Sequence, residues 1–316
     1  MNLYVYVTSF DFGDVVSIID TSNDTVITSI AVGSNPESIA ITPDGNWAYV
    51  PNFSANNVSV INTTTNAITA TITVGSNPAG IAITPDGTEA YVTNNGSSNV
   101  SVIDTSTNTV TATISIASSA FPISVAITPD GTKAYVTNHS DDNVSVIKTS
   151  TNTVTATITV GVGPNSVAIT PNGAKAYVAN DGSANIVSVI NTLTNTVSAT
   201  ITVGTSPVGV AITPDGSKAY VANYDSTNVS LINTSTNAIT ATITVGSNPY
   251  NVAFTPDGTK AYVVNQGGSN VSVIDTSTNT VTATIAIAGY AIGIAIQSTP
   301  FVSTTLFPVI SEWWGV

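Results

Sequence analysis

The chain has 316 residues, a formal net charge of −13, and only 7% charged against 42% apolar residues. It contains no Cys, one His (His139), one Met, and five Lys with no Arg. These absences exclude disulfides, thiolate metal sites, multi-histidine metal centres and bis-histidine haem, and leave nucleic-acid or phosphate binding without its usual guanidinium donors.

The first elements are short strands at Tyr4 to Ser9, Val15 to Asp20 and Thr25 to Ile30. Because Tyr4-Val5-Tyr6-Val7 already alternates as a strand, no signal peptide is expected within this chain. No stretch reaches the roughly 18 uninterrupted apolar residues of a membrane-spanning helix. The Tyr-Val dipeptide then recurs at Tyr6, Tyr49, Tyr91, Tyr135, Tyr177, Tyr220 and Tyr262, spaced 42–44 residues apart. A period of this length built from short strands predicts a β-propeller with one four-stranded blade per repeat.

The copy from Pro78 onward shows the pattern: Pro78 to Ile83, Ala90 to Asn94, Asn99 to Asp104 and Thr109 to Ile114. We label these strands A to D, with A nearest the axis. Strand A is a short apolar run that suits contact with neighbouring blades on both faces. Strand D alternates Thr with Val, Ile or Ala, as a strand half facing water should. Pro-Asp-Gly turns follow strand A at Pro43, Pro85, Pro129, Pro214 and Pro256, with Pro171-Asn172-Gly173 as a variant. Proline presets φ, Asp bonds the local backbone and Gly accepts positive φ, so these acids read as turn formers and not catalysts. Segments such as Asp104 to Asn108 read as side-chain-stabilised C–D turns.

The N-terminus supplies strands B, C and D of one blade. The missing strand A reappears as Ile292-Gly293-Ile294-Ala295-Ile296. The fold expected is therefore all-β, a seven-bladed β-propeller closed three-plus-one by the two chain ends. It spans residues 1–297, with a tail at 298–316.

The repeated Ala-Tyr-Val-Thr/Ala-Asn, Pro-Asp-Gly-Thr/Ser-Lys and Val-Ser-Val-Ile-Asp segments resemble the YVTN-repeat family of seven-bladed propellers, over residues 3–297. That family includes archaeal surface-layer domains and bacterial extracytoplasmic proteins. The resemblance implies an exported, cell-surface or extracellular protein. Its motifs are structural, so no catalytic residue transfers with them. In the tail, Phe307-Pro308-Val309-Ile310-Ser311-Glu312-Trp313 is similar to the Ile-Pro-Thr-Leu-Ser-Glu-Trp box of a bacterial sorting signal, without the helix that follows it there.

Differences between copies separate scaffold from candidate site. The A–B and C–D turns barely vary. The residue after the strand-A proline (Glu37, Ala79, Ile123, Asn165, Val208, Tyr250 and, in the last copy, Ile292) and the B–C loops do. Both lie on the face conventionally called the top. All five lysines fall on the bottom, while the top carries Asp11, Asp14, Glu37, Asp141, Asp142, Asp181 and Asp225. A face of one sign attracts counter-charges. The candidate ligand-binding set is Glu37, Phe53, His139, Asp141, Asp142, Tyr224, Asp225 and Tyr250.

No catalytic residue is assigned, because no activated nucleophile accompanies His139. No cofactor is expected either. Asp141-Asp142 lacks the spaced oxygens and turn glycine of a calcium loop, although a Ca2+ site assembled across several loops would leave no motif. The function expected is a non-enzymatic interaction module with a protein or glycan partner at a cell surface. The alternatives are a lactonase-like, metal-assisted hydrolase on the top face, or a structural lattice or filament subunit. The D strands lack Lys, Glu and Pro, the usual edge guards, which points to self-association or covering of the outer edges.

Overall fold

A computed structural model describes residues 3–297 except 12, 118, 119 and 183. The sorting-box resemblance at 307–313 lies outside the described residues. Seven antiparallel sheets of four strands form the ring. In blade 3 the strands are Pro78–Ile83, Glu89–Asn94, Asn99–Asp104 and Thr109–Ser115, and the other blades repeat this order. Blade 1 is closed as expected: Tyr290–Ile296 pairs antiparallel with Tyr4–Phe10, with Val7 opposite Ile294. The two chain ends thus complete one sheet.

The core is divided into seven wedges, each between two neighbouring blades. Tyr91, Val100 and Val102 of blade 3, for example, pack against Val125, Val136 and Ile147 of blade 4. The wedge at the seam joins Tyr262, Val271 and Val273 of blade 7 to Val5, Val7 and Ile294 of blade 1. Burying such side chains is the main favourable contribution to folding. Because each wedge needs two blades, a ring left open would lack one of the seven.

The strand-B tyrosines are fully or almost fully buried, and each hydroxyl reaches the next blade. Tyr49 donates to Asn108 Oδ1 at 2.8 Å, Tyr91 to Asn152 Oδ1 at 2.7 Å and Tyr135 to Asn195 Oδ1 at 2.8 Å. The acceptor asparagines sit at positive φ in the C–D turns. The Tyr-Val repeat is thus an inter-blade tie as well as a strand marker.

Bottom turns behave as their residues dictate. Asp86 accepts hydrogen bonds from the Thr84 hydroxyl at 2.6 Å and from Thr88 N at 3.1 Å. The Thr84 hydrogen bond, with the others, holds its carboxyl below the usual range. Lysines of the same face are also engaged, with Lys133 Nζ donating to Thr192 O at 2.7 Å.

The outer edges carry a feature that alternating hydropathy does not reveal. In all seven blades the C–D register slips by one residue, as between Val102 and Ile103 in blade 3. Thr111 is the residue skipped, and its hydroxyl donates to Val102 O at 3.3 Å. Such bulges twist an edge and discourage further pairing.

Candidate functional site

The top face consists of two concentric rings fixed by the blade geometry. The inner ring is formed by the residue after each strand-A proline. Glu37, Ala79, Ile123, Asn165, Val208 and Tyr250 line one cavity of about 60 Å³ on the axis. The outer ring is formed by the residue following each strand-B asparagine or its equivalent: Phe10, Phe53, Asn95, His139, Asp181, Tyr224 and Gln266.

Members of the outer ring meet across blade boundaries. Phe10 and Phe53 pack edge-on with centroids 6.4 Å apart. His139 Nε2 lies 3.2 Å from Asp181 Oδ1. The Tyr224 hydroxyl donates to Gln266 Oε1 at 2.7 Å. Two contacts then join the rings: Tyr224 packs edge-on against Tyr250 at 6.2 Å, and Asn165 Nδ2 donates to Asp181 Oδ2 at 3.1 Å.

The inner ring is narrow because neighbouring A strands approach closely. A Cβ on Gly209 would lie 2.2 Å from Tyr250 O, and one on Gly293 would lie 2.9 Å from Glu37 O. Side chains at these two positions would push the backbone bearing Tyr250 and Glu37 away from the axis.

Glu37 stands on irregular backbone. Strand A of blade 2 has shrunk to Ala40–Ile41, whereas those of blades 3 to 7 have six residues. The cause is Pro51 on strand B, which has no N–H to give the ladder; Pro51 O still accepts from Glu37 N at 3.0 Å. The residue is part-buried at the cavity mouth. Burial at this position pushes the carboxyl pKa up to about 7. Burial, reinforced by the Glu37 charge, likewise raises the Tyr250 phenol far above its ordinary value.

The other acids of the candidate set have different surroundings. Asp142 occupies a left-handed position and accepts Gly163 N at 2.9 Å, tying the B–C loop to the next blade's D–A loop. Asp14 does the same for Asn35 N at 2.8 Å. Asp225 is exposed and accepts the Ser206 hydroxyl at 2.6 Å. Asp141 is exposed, at the end of a short 3-10 turn that begins at His139. Thus Glu37 and Tyr250 lie at the axis, Tyr224 and His139 around it, and Asp141, Asp142 and Asp225 farther out in the loops. Asp181 is the side chain that links His139 to the funnel, and its signal in the sequence is the blade-length spacing from His139.

Larger grooves open on the bottom, including one of about 450 Å³ lined by Thr128, Pro129, Lys133 and Leu193. They recur between the turns of successive blades, and their polar side chains are committed to those turns. Size alone does not make them a site. Among the described residues, no three His, Cys, Asp or Glu side chains converge as metal ligands would.

A closed ring of seven four-stranded antiparallel blades defines a seven-bladed β-propeller. The chain belongs to the Choice-of-anchor I domain family, whose sequence model matches residues 81–282. No curated protein matches the sequence. Among solved structures, hydrazine synthase of Kuenenia stuttgartiensis is 26% identical, with a TM-score of 0.76 over 86% of this chain and 95% of that one. A functionally unknown protein from Desulfotomaculum acetoxidans is 20% identical, with a TM-score of 0.83 over 94% of this chain and 99% of that one. A provisionally assigned 6-phosphogluconolactonase from Bacteroides uniformis is 16% identical, with a TM-score of 0.79 over 93% and 99%. The last two similarities show the fold alone.

Proposed function

We propose that this protein is a non-enzymatic recognition module of the YVTN-repeat kind, displayed at a cell surface or outside the cell, which takes a protein or glycan partner on its top face. Membership of a choice-of-anchor family supports the surface setting. The observation that carries the binding role is the division of chemistry between faces. The bottom repeats one set of turn-forming contacts blade after blade, whereas the top brings acids and aromatic side chains together around a narrow funnel. All five lysines are on the bottom, so among the described top-face acids only Asp181, beside His139, has an internal basic partner. The acidic rim favours a partner that presents positive charge.

The test compares neutralised acids on the two faces against a cationic probe, a lysine homopolymer at low ionic strength. Asp141→Asn with Asp225→Asn changes the top. Asp104→Asn with Asp275→Asn makes the same change in charge on the bottom, at positions where other blades carry Asn62, Asn191 or Asn233. Loss of binding only in the top variant is expected. Equal loss in both would mean diffuse attraction to net charge.

A further inference from the structure

We propose that the axial funnel is a subsite for a primary alkylammonium group, of the size of a lysine side-chain end, with Glu37 as its counter-ion. This rests on the top-face recognition role and names the chemistry at its centre.

Three observations on this chain converge on that occupant. Glu37 is the one inner-ring residue that carries charge, it is part-buried at the funnel, and among the described residues nothing donates a hydrogen bond to its carboxyl. Most of the surrounding top-face acids are engaged: Asp11 with Asn35 Nδ2, Asp14 with Asn35 N, Asp142 with Gly163 N, Asp181 with His139 and Asn165, and Asp225 with Ser206. A part-buried carboxylate without protein donors is incompletely solvated, and a cation that brings its own N–H groups offsets that cost.

The walls define what kind of cation fits. Ile123, Val208 and Ala79 present apolar surface, and Tyr250 adds an aromatic ring whose orientation is fixed by Tyr224. The lining also carries Ser124, Asn165, Ser166 and Asn251, but among the described residues no three acid or imidazole side chains converge as ligands for a hard divalent ion. Methylene groups ending in an ammonium satisfy both parts, with the stem against Ile123 and Val208 and the head at Glu37 beside the Tyr250 ring. The cavity volume of about 60 Å³ admits such a head group and a short stem.

The charged form of Glu37 is needed, so occupancy depends on pH. The titratable groups that face the funnel are Tyr250, which stays neutral, Tyr224 packed against it, and Asp181 with its partner His139. Ligand binding should therefore follow Glu37, whose pKa lies at about 7. The His139 contribution is separable by mutation.

Calorimetric titration of the intact protein with n-butylammonium is the primary experiment. Binding at pH 8 that weakens roughly thirtyfold at pH 5.5 is expected from loss of the carboxylate. It should weaken by at least about tenfold in Glu37→Gln and persist in His139→Gln. The pH series needs no variant, so a Glu37→Gln protein that fails to fold does not block the test. Butylammonium that does not bind at pH 8, or binds no better than potassium, overturns the proposal. Two further arms separate sources of the amine. A lysine peptide that binds and loses binding on Nε-acetylation identifies a lysine of a macromolecular partner. Butylammonium binding without peptide binding identifies a free amine, and either result supports the subsite. If the lysine homopolymer still binds the rim while butylammonium does not reach the funnel, the subsite fails and the top-face role stands. Equal loss of the homopolymer in top and bottom variants sinks the role itself.

Discussion

The Tyr262 hydroxyl donates to Asp24 Oδ1 at 2.6 Å, joining residues 238 positions apart at the seam where blade 7 meets blade 1. The equivalent acceptors for Tyr49, Tyr91, Tyr135, Tyr177 and Tyr220 are neutral asparagines. Only at the seam does an acid take this place, and Lys260 Nζ approaches its two oxygens at 3.0 and 2.9 Å while also donating to Thr21 O at 2.9 Å. The closing interface therefore has an ion pair added to the tie used elsewhere.

Asp24→Ala leaves a buried tyrosine hydroxyl and a half-buried ammonium without their partner, which should cost about 2–3 kcal/mol. Asn108→Ala, which removes only the neutral tie to Tyr49, should cost about 1 kcal/mol. Denaturant unfolding of the two variants measures the difference. Equal losses would mean that the ion pair adds nothing to closure.

Glu37 makes stability depend on pH in a direction opposite to that of an ion-paired acid. Its folded pKa of about 7 exceeds the ordinary 4.5, so the native state holds the proton more tightly between those values. Stability is then greatest below about pH 4.5 on this account and falls as pH rises to 7. Glu37→Gln should raise stability by up to about 3 kcal/mol at pH 8 and change little at pH 4.5. A melt unchanged at pH 8 would show that the carboxyl is already solvated there.

His139 acts in the neighbouring window. Its hydrogen bond to Asp181 raises the imidazole pKa above 6.5, against a smaller opposing effect of burial. The stabilisation is present below pH 6.5 and is lost as pH rises through the folded value. His139→Gln should flatten this part of the pH–stability curve without altering the Glu37 part. NMR titration of the single imidazole checks the direction directly: a value at or below 6.5 would contradict the pairing.

The ring, the turns and the closure were legible because they are written locally and repeated. A Pro-Asp-Gly turn or a Tyr-Val pair needs only its neighbours in sequence to be recognised. Glu37 and Tyr250 stood out for the same reason, as odd members of a repeated position. Contacts between blades were not legible in this way. His139 reads naturally with Asp141 and Asp142 beside it in sequence, yet the fold sets it against Asp181, one blade further on. The placement of Glu37 depends on Pro51 across the sheet and on Gly293 in the neighbouring blade, and no local pattern announces either. The bulges escaped notice because Thr111 and its equivalents fit an alternating strand as well as they fit a bulge.

Those bulges give a prediction about the outer edges. In six blades the skipped residue is Thr or Ser, donating to a strand-C carbonyl as Thr69 does to Val60 O at 3.3 Å and Ser198 to Val189 O at 3.1 Å. Blade 1 has Ile27 there, 48% exposed and with no hydroxyl to donate. Ile27→Thr should restore that bond and add about 0.5–1 kcal/mol. It should also lower self-association, measured by light scattering at high concentration, if bulged edges suffice to keep the particle monomeric. Persistent association in Ile27→Thr would instead favour the covered edges inferred from the absence of Lys, Glu and Pro.

Closure by the last strand can be tested against the tail that follows it. Ending the chain after Gln297 keeps every described strand, whereas ending it after Gly289 removes Tyr290–Ile296. That strand buries Ala291, Ile292 and Ile294, and Gln297 beside it donates to Gly45 O at 2.9 Å. Each buried isoleucine contributes roughly 1.5–3 kcal/mol, against a net stability of about 5–15 kcal/mol for a folded domain. The shorter truncation should leave the melt unchanged, and the longer one should lower it sharply or abolish folding. A permutant then separates the strand from its position in the chain. Residues 290–297, joined through a Pro-Asp-Gly turn to Leu3, would supply strand A from the N-terminal side and make blade 1 continuous. It should melt close to the intact protein, because the same Val7–Ile294 pairing is formed with a shorter loop to close. A permutant as unstable as the Gly289 truncation would mean that blade 1 needs its two ends to arrive separately.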